Sequence, residues 1–179
     1  LVLSLEIHDV ALDQIRGLAD VQVRSWQAAY RGIIPDAHLD SLSIDESERR
    51  WRTSVTQPSR ANTIVAEFLG GVVGFASFGP CRDSDLGDEA MSELYAIYVD
   101  PRRFGQSIGG ALMAHTLGRL RTQGYDGATL WVLDRNALAR RFYERWQWAL
   151  EGRKKTILFG DVAVDEIRYA LPLRRAVYL

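Results

Sequence analysis

The sequence predicts an α/β protein, more closely α+β, built on one mixed central sheet of about seven strands with about four helices. Three β-prone runs, 63–68, 72–78 and 92–99, follow one another with no helical pattern between them, so they should pair antiparallel. A helical stripe of Leu112, Met113, Thr116, Leu117 and Leu120 then separates 92–99 from the apolar run 128–133, a crossover that suits a parallel pair. With 179 residues, 47% of them apolar and 25% charged, the chain suits a single domain spanning 1–179.

Taken in order, 2–7 alternates as a strand, and Asp9 can cap a helix whose apolar positions Ile15, Ala19, Val23, Trp26 and Tyr30 step at helical spacing. Gly32 and Pro35 end it. Ser43-Ile44-Asp45-Glu46 is a capping-box pattern that opens a second helix, which runs past Trp51 to the Gln57-Pro58 break. The runs 63–68 and 72–78 make a hairpin, 80–89 a polar loop, and 92–99 the fourth strand. A third helix covers 108–123 up to Gly124, and a fifth strand covers 128–133. Ala139, Phe142, Tyr143 and Trp146 mark a fourth helix over 136–146, and the runs 154–159 and 162–171 close the chain as a hairpin turned at Gly160-Asp161.

Twenty-two Lys and Arg against 23 Asp and Glu give a net charge of -1, which offers nucleic acid or an anionic membrane no global attraction. The one cysteine, Cys81, excludes an internal disulfide and fits a small apolar filler in a reducing compartment. No apolar run reaches the ~20 residues of a membrane span, and residues 1–9 lack the order of a signal peptide, so a cytoplasmic location is expected. His8, His38 and His115 show no ligand spacing, so no metal is expected. The Arg153-Lys154-Lys155 cluster faces Asp161, Asp165 and Glu166 across the last hairpin and reads as a surface ion-pair set.

The most informative segment joins the strand Glu93-Leu-Tyr-Ala-Ile-Tyr-Val-Asp-Pro101 to Arg-Arg-Phe-Gly105-Gln-Ser-Ile-Gly109-Gly-Ala-Leu-Met. A strand that opens through glycines into a helix gathers free N–H donors and the positive end of a helix dipole, which suits a phosphate. The segment lacks Gly-x-Gly-x-x-Gly and the Lys-Ser/Thr of a P-loop, and the sheet is mixed, which argues against dinucleotide hydride transfer and NTP hydrolysis.

Together with Asn136-Ala-Leu-Ala-Arg-Arg-Phe-Tyr143-Glu144 and Trp26-Gln-Ala-Ala-Tyr30-Arg-Gly-Ile-Ile-Pro35, this segment resembles the GNAT superfamily of acetyl-CoA-dependent N-acetyltransferases over nearly the whole chain. The resemblance implies a sheet splayed between strands 4 and 5. It implies acetyl-CoA held at Ile97, Tyr98, Val99, Phe104, Gly105, Gln106, Ser107, Ile108, Gly109, Gly110, Asn136 and Tyr143, with no metal. The loop departs from the family's usual Gln/Arg-x-x-Gly-x-Gly/Ala, with Phe104 at the first position and Ser107 at the first glycine, so the pyrophosphate is expected to rest on main-chain donors, with the Ser107 hydroxyl as a further donor.

Acetyl transfer to an amine requires a neutral amine, a stabilised carbonyl oxygen and a protonated leaving thiolate. The resemblance assigns the last role to Tyr143 and the oxyanion contact to the Val99 N–H. Strict alternation would put Glu93, Tyr95, Ile97 and Val99 on one face, which makes Glu93 a candidate general base beside the bland reading of a salt-bridged strand residue. Trp26, Tyr30, Tyr95 and Trp131 are expected around the acceptor, and Arg140, Arg141 and Arg145 are either a solvated helix face or partners of the adenosine phosphates. The leading expectation is acetyl transfer to a primary amine of a small molecule, amino acid or peptide N-terminus by direct attack in a ternary complex, with a homodimer as the expected assembly. The alternatives are a protein-lysine or aminoacyl-tRNA acetyltransferase and a non-catalytic acyl-CoA-binding module.

Overall fold

The computed structural model describes residues 4–57, 60–86 and 90–174. Seven strands form one sheet in the order β1-β2-β3-β4-β5-β7-β6, with β4 and β5 parallel and every other pair antiparallel. The strands are β1 (Glu6–Asp9), β2 (Asn62–Phe68), β3 (Gly71–Pro80), β4 (Met91–Val99), β5 (Gly127–Leu133), β6 (Ala149–Phe159) and β7 (Val162–Pro172). The helices are α1 (Ile15–Ala29), α2 (Asp36–Asp40), α3 (Ile44–Thr56), α4 (Ile108–Thr122) and α5 (Ala137–Arg145). The mixed sheet is the expected one, and the five-residue α2 is an addition to the expected four helices.

α4 and α5 cover one face through Leu112, Met113, Leu117, Leu120 and Tyr143, packed on Ile64, Ala76, Leu130 and Ile167. α1 and α3 cover the other over β2 to β4, and Gln22 ties them by accepting from Ser47 Oγ at 2.6 Å and Trp51 Nε1 at 2.7 Å. A third cluster, with Ile34, Leu39, Leu133 and Val164, packs α2 against the β5-β7-β6 end. α4 comes so close to β3 that a Cβ on Gly74 would lie 3.0 Å from both Leu112 Cδ1 and the Tyr98 carbonyl oxygen. Here the glycine is required by packing.

Several boundaries differ from the expected ones. The strand expected at 2–7 lies at Glu6–Asp9, with residues 2 and 3 outside the described residues. Asp9 therefore ends a strand and does not cap a helix; a 3-10 turn at Leu12–Gln14 intervenes before α1. Ser43 does cap α3, accepting from the Glu46 N–H at 3.4 Å, while Pro58 lies outside the described residues. Pro80 is still in β3, and the 80–89 loop holds a 3-10 turn at Ser84–Leu86, with 87–89 outside the described residues. β6 starts at Ala149, five residues before the expected 154, because its pairing continues past an irregularity at 151–153 where Gly152 has φ 94°.

Alternation along β4 is broken as well. The β3–β4 register slips between Ser77 and Phe78, so Ser77 pairs with Ala96 and Phe78 with Leu94, leaving Tyr95 as a bulge. Leu94, Ile97 and Val99 pack on the α4 side, Ala96 and Tyr98 on the α1 side. Glu93 is thereby separated from the face of Ile97 and Val99 that strict alternation predicted. A single inserted residue reverses the side-chain phase on one side of it.

Candidate active site

β4 and β5 pair over three residues each, Met91 to Glu93 with Gly127 to Thr129, and then diverge. The Asp100 N–H donates to Val73 O at 2.9 Å, so by ladder alternation the N–H and C=O of Val99, and of Ile97 before it, point away from β3 into the opening. Ser25 of α1 already reaches this edge, donating from Oγ to Val99 O at 2.9 Å. A cleft of about 690 Å³ occupies the opening and is lined by residues from both faces of the sheet.

At one end the wall is the loop 103–110 and the first turn of α4. Asp100, 4% exposed, accepts from the Arg102 main-chain N–H at 3.0 Å and pairs with its guanidinium, which holds the Asp100 carboxyl below the usual range. This pins the 3-10 turn Pro101–Arg103. Gly105 has φ 80°, and Ser107, the residue before α4, has φ 60° and ψ 8°. Ser107 thus keeps the left-handed conformation that a glycine would take without strain. The first intrahelical donor is Ala111 N–H to Ser107 O, so the N–H groups of Ile108, Gly109 and Gly110 are the unpaired donors of the helix start. An added Cβ would meet only ordinary contacts at Gly109 (Phe142, 3.6 Å) and Gly110 (Trp146, 3.7 Å). Unlike Gly74, these glycines leave room that the protein's own packing does not need. Phe104 is 51% exposed, and Arg103 and Arg145 add positive charge here.

Midway along the cleft, Asn136 caps α5 by accepting from the Ala139 N–H at 3.1 Å, and Tyr143 lies one face of α5 further on. Tyr143 is 9% exposed and packs edge-on against Phe142 and Trp148, with its hydroxyl bonded to no group among the described residues. Burial, with the neighbouring Tyr98, pushes its phenol well above the usual range.

The far end is built from side chains of five elements. Trp26 and Tyr30 come from α1 and the turn after it, Tyr98 from β4, Trp131 from β5, Phe159 from β6 and Glu166 from β7. Tyr30 and Tyr98 share a hydroxyl hydrogen bond of 2.9 Å, and burial raises both phenols, Tyr30 further through Tyr98. A second cavity, lined by Trp51, Cys81 and Arg82, lies on the other side of Trp26, Tyr95 and Tyr98. Tyr95 donates to Pro80 O at 2.5 Å, and burial pushes its phenol to about 12.

Four expectations shift. Glu93 is 2% exposed and does not line the cleft between β4 and β5; its carboxylate accepts from Arg82 N at 3.1 Å, Nε at 3.0 Å and Nη2 at 2.5 Å. Arg140 is held by Asp134 and by the Tyr169 hydroxyl, which leaves Arg145 as the α5 cation on the cleft. In the last hairpin Lys154 pairs with Asp165 at 2.9 Å and Lys155 with Glu166 at 3.3 Å as expected, whereas Arg153 pairs with Asp85 at 3.2 Å, outside the hairpin, and Glu166 also lines the cleft. Tyr98, expected among the residues that hold acetyl-CoA, lines both cavities and joins Tyr30 through its hydroxyl. Among the described residues, no three His, Cys, Asp or Glu side chains gather to hold a metal. No helix of the described residues is long and apolar enough to cross a membrane.

The family model described as the acetyltransferase (GNAT) family matches residues 22–147. The chain belongs to the GNAT acetyltransferase family. A GNAT relative, the uncharacterized N-acetyltransferase YuaI of Bacillus subtilis, is 35% identical over 130 residues, 73% of this chain and 72% of that protein. The spermidine N(1)-acetyltransferase of Thermoplasma acidophilum is 22% identical over 141 residues, 79% of this chain and 86% of that protein. The crystal structure of PaiA N-acetyltransferase from Thermoplasma acidophilum in complex with coenzyme A shares the GNAT fold with a TM-score of 0.75 at 19% identity, covering 93% of this chain and 98% of that one.

Proposed function

We propose that this GNAT enzyme transfers the acetyl group of acetyl-CoA to a primary amine of a small molecule, by direct attack in a ternary complex. The observation that carries the reading is one cleft through the sheet, with unpaired main-chain donors at one end, a free phenol midway and a single carboxylate at the other.

The residues fit the coenzyme. N–H groups of Ile108 to Gly110, the helix dipole and Arg103 and Arg145 complement a pyrophosphate, and the gap at Val99 admits an extended arm. The Val99 N–H, aimed into the opening, stabilises charge that develops on the thioester oxygen, with Ile97 as the next donor along the same edge. Tyr143 gives its proton to the departing thiolate: a phenol is in its acid form at neutral pH, and because burial makes this one a weaker acid the transfer follows the build-up of charge on sulfur. Proton removal from the amine is not assigned to Glu93, whose carboxylate is occupied by Arg82; the amine attacks as the neutral species after losing one proton to solvent, and the proton its nitrogen sheds on forming the amide replaces the one Tyr143 gives to sulfur.

The reading is tested by coenzyme A release against a panel of primary amines, with both substrates varied. Intersecting initial-velocity lines, and no release of coenzyme A before amine is added, are expected. A burst of coenzyme A without amine would replace direct attack by an acyl-enzyme.

A further inference from the structure

Lys155 of β6 places its ammonium 4.0 Å from the centroid of the Trp131 ring and 3.3 Å from Glu166 Oε2. An aromatic face and a carboxylate around one ammonium form a cation site, and here both walls line the cleft while the cation itself comes from the flanking strand. Glu166 pairs in register with Leu133, the last residue of β5, where the opening beside β4 is wide. Its charge also reaches the Tyr30 and Tyr98 phenols, whose neutral hydroxyls supply acceptor oxygens on the facing wall.

We infer that Glu166, the Trp131 ring and the Tyr30–Tyr98 hydroxyl pair receive the ammonium group of the acceptor, and that Lys155 fills this site until the acceptor displaces it. The inference rests on the transferase reading for the word acceptor, but the site itself stands on its own geometry. It also sets a substrate class. Glu166 is the one carboxylate lining the cleft among the described residues, and its neighbours Ile34, Leu133, Ile157 and Phe159 are apolar. A primary monoamine with an apolar body suits such a pocket. A polyamine would bring a second cation with no partner there, and an amino acid would bring its carboxylate toward Glu166.

The full-length protein is loaded with coenzyme A and titrated with 2-phenylethylamine and with its neutral counterpart 2-phenylethanol, following tryptophan fluorescence. The amine should bind about tenfold or more tighter than the alcohol, the scale of one charge-assisted hydrogen bond. Glu166→Gln should abolish that preference while leaving alcohol binding unchanged, which also reports that the variant is folded. Lys155→Met should tighten amine binding about threefold and leave the alcohol alone, as expected for loss of a partly exposed competing ion pair. An amine preference that survives in Glu166→Gln, or amine binding weakened in Lys155→Met, overturns the inference. Acetylation of 2-phenylethylamine with an unchanged KM in Glu166→Gln would overturn it while leaving the transferase reading intact. The expected binding pattern without any coenzyme A release would support the ammonium site and overturn the transferase reading instead.

Discussion

The two ends of the cleft are built from different materials. The end proposed for the coenzyme is main chain: a turn pinned by Asp100 and Arg102, two left-handed residues, and the helix-start donors without partners among the described residues, all within eleven consecutive residues. The end proposed for the acceptor is side chain: two phenols, two indoles, a phenyl ring and a carboxylate brought together from α1 and the turn after it, β4, β5, β6 and β7. A main-chain site tolerates exchange of its side chains so long as the backbone path is kept. A side-chain site changes its preference with each substitution.

Tyr143 stands between the two, and removing its hydroxyl should have the largest effect. Tyr143→Phe should lower kcat by about 100-fold or more, within the range for general acid catalysis, with the KM for acetyl-CoA changed less than about threefold. An unchanged kcat would make Tyr143 a wall of the cleft and nothing more.

Gly109→Ala separates the packing role of a glycine from its ligand role. Its Cβ meets only ordinary contacts, so thermal stability should hold or rise by up to about 1 kcal/mol, and since alanine is usual at this position of the family loop coenzyme A affinity on calorimetry should change less than about threefold. A loss of about tenfold would mean that the ligand rests directly on this turn.

The buried phenols of the cleft should show themselves in alkaline unfolding. Burial raises the phenols of Tyr30, Tyr98 and Tyr143, so above pH ~10 the unfolded chain releases protons that the folded chain retains. Their contribution to stability is therefore complete below pH ~10 and is lost as the pH climbs beyond it, at up to about 1.4 kcal/mol per pH unit for each phenol. Chemical denaturation of Tyr98→Phe between pH 9 and 11 should give a shallower decline than the parent chain. An equal decline would mean that Tyr98 ionises freely in the folded protein.

The smallest effect belongs to Ser107→Gly. Relief of the left-handed strain should raise stability by about 1 kcal/mol and leave coenzyme A affinity equal or slightly tighter. A clear loss of affinity would assign the Ser107 hydroxyl a contact with the ligand.

The same contrast explains what could be read from the amino-acid order. The junction from Glu93 to Met113 carries its meaning locally, in a strand pattern, a proline and spaced glycines, so both the parallel crossover and the phosphate-suited turn were visible. Glu166 was not, because its meaning comes from lying beside Leu133 in a register that no local pattern states. Its charge complement to Lys155 on the partner strand was visible, and the pair does exist at 3.3 Å, but its place on the wall of an opening depends on where β4 leaves β5. The misplacement of Glu93 has a different origin. Alternation assumes an unbroken pleat, and the bulge at Tyr95 breaks it without a glycine or proline to announce it.

The opening between β4 and β5 joins the two faces of the sheet, and this has a consequence for traffic. A pocket with one mouth obliges the second reactant to wait for the first and the first product to wait for the last. A passage lined from both faces would impose no such queue on the proposed reaction, since the thiol and the amide could each depart on the side from which its parent arrived.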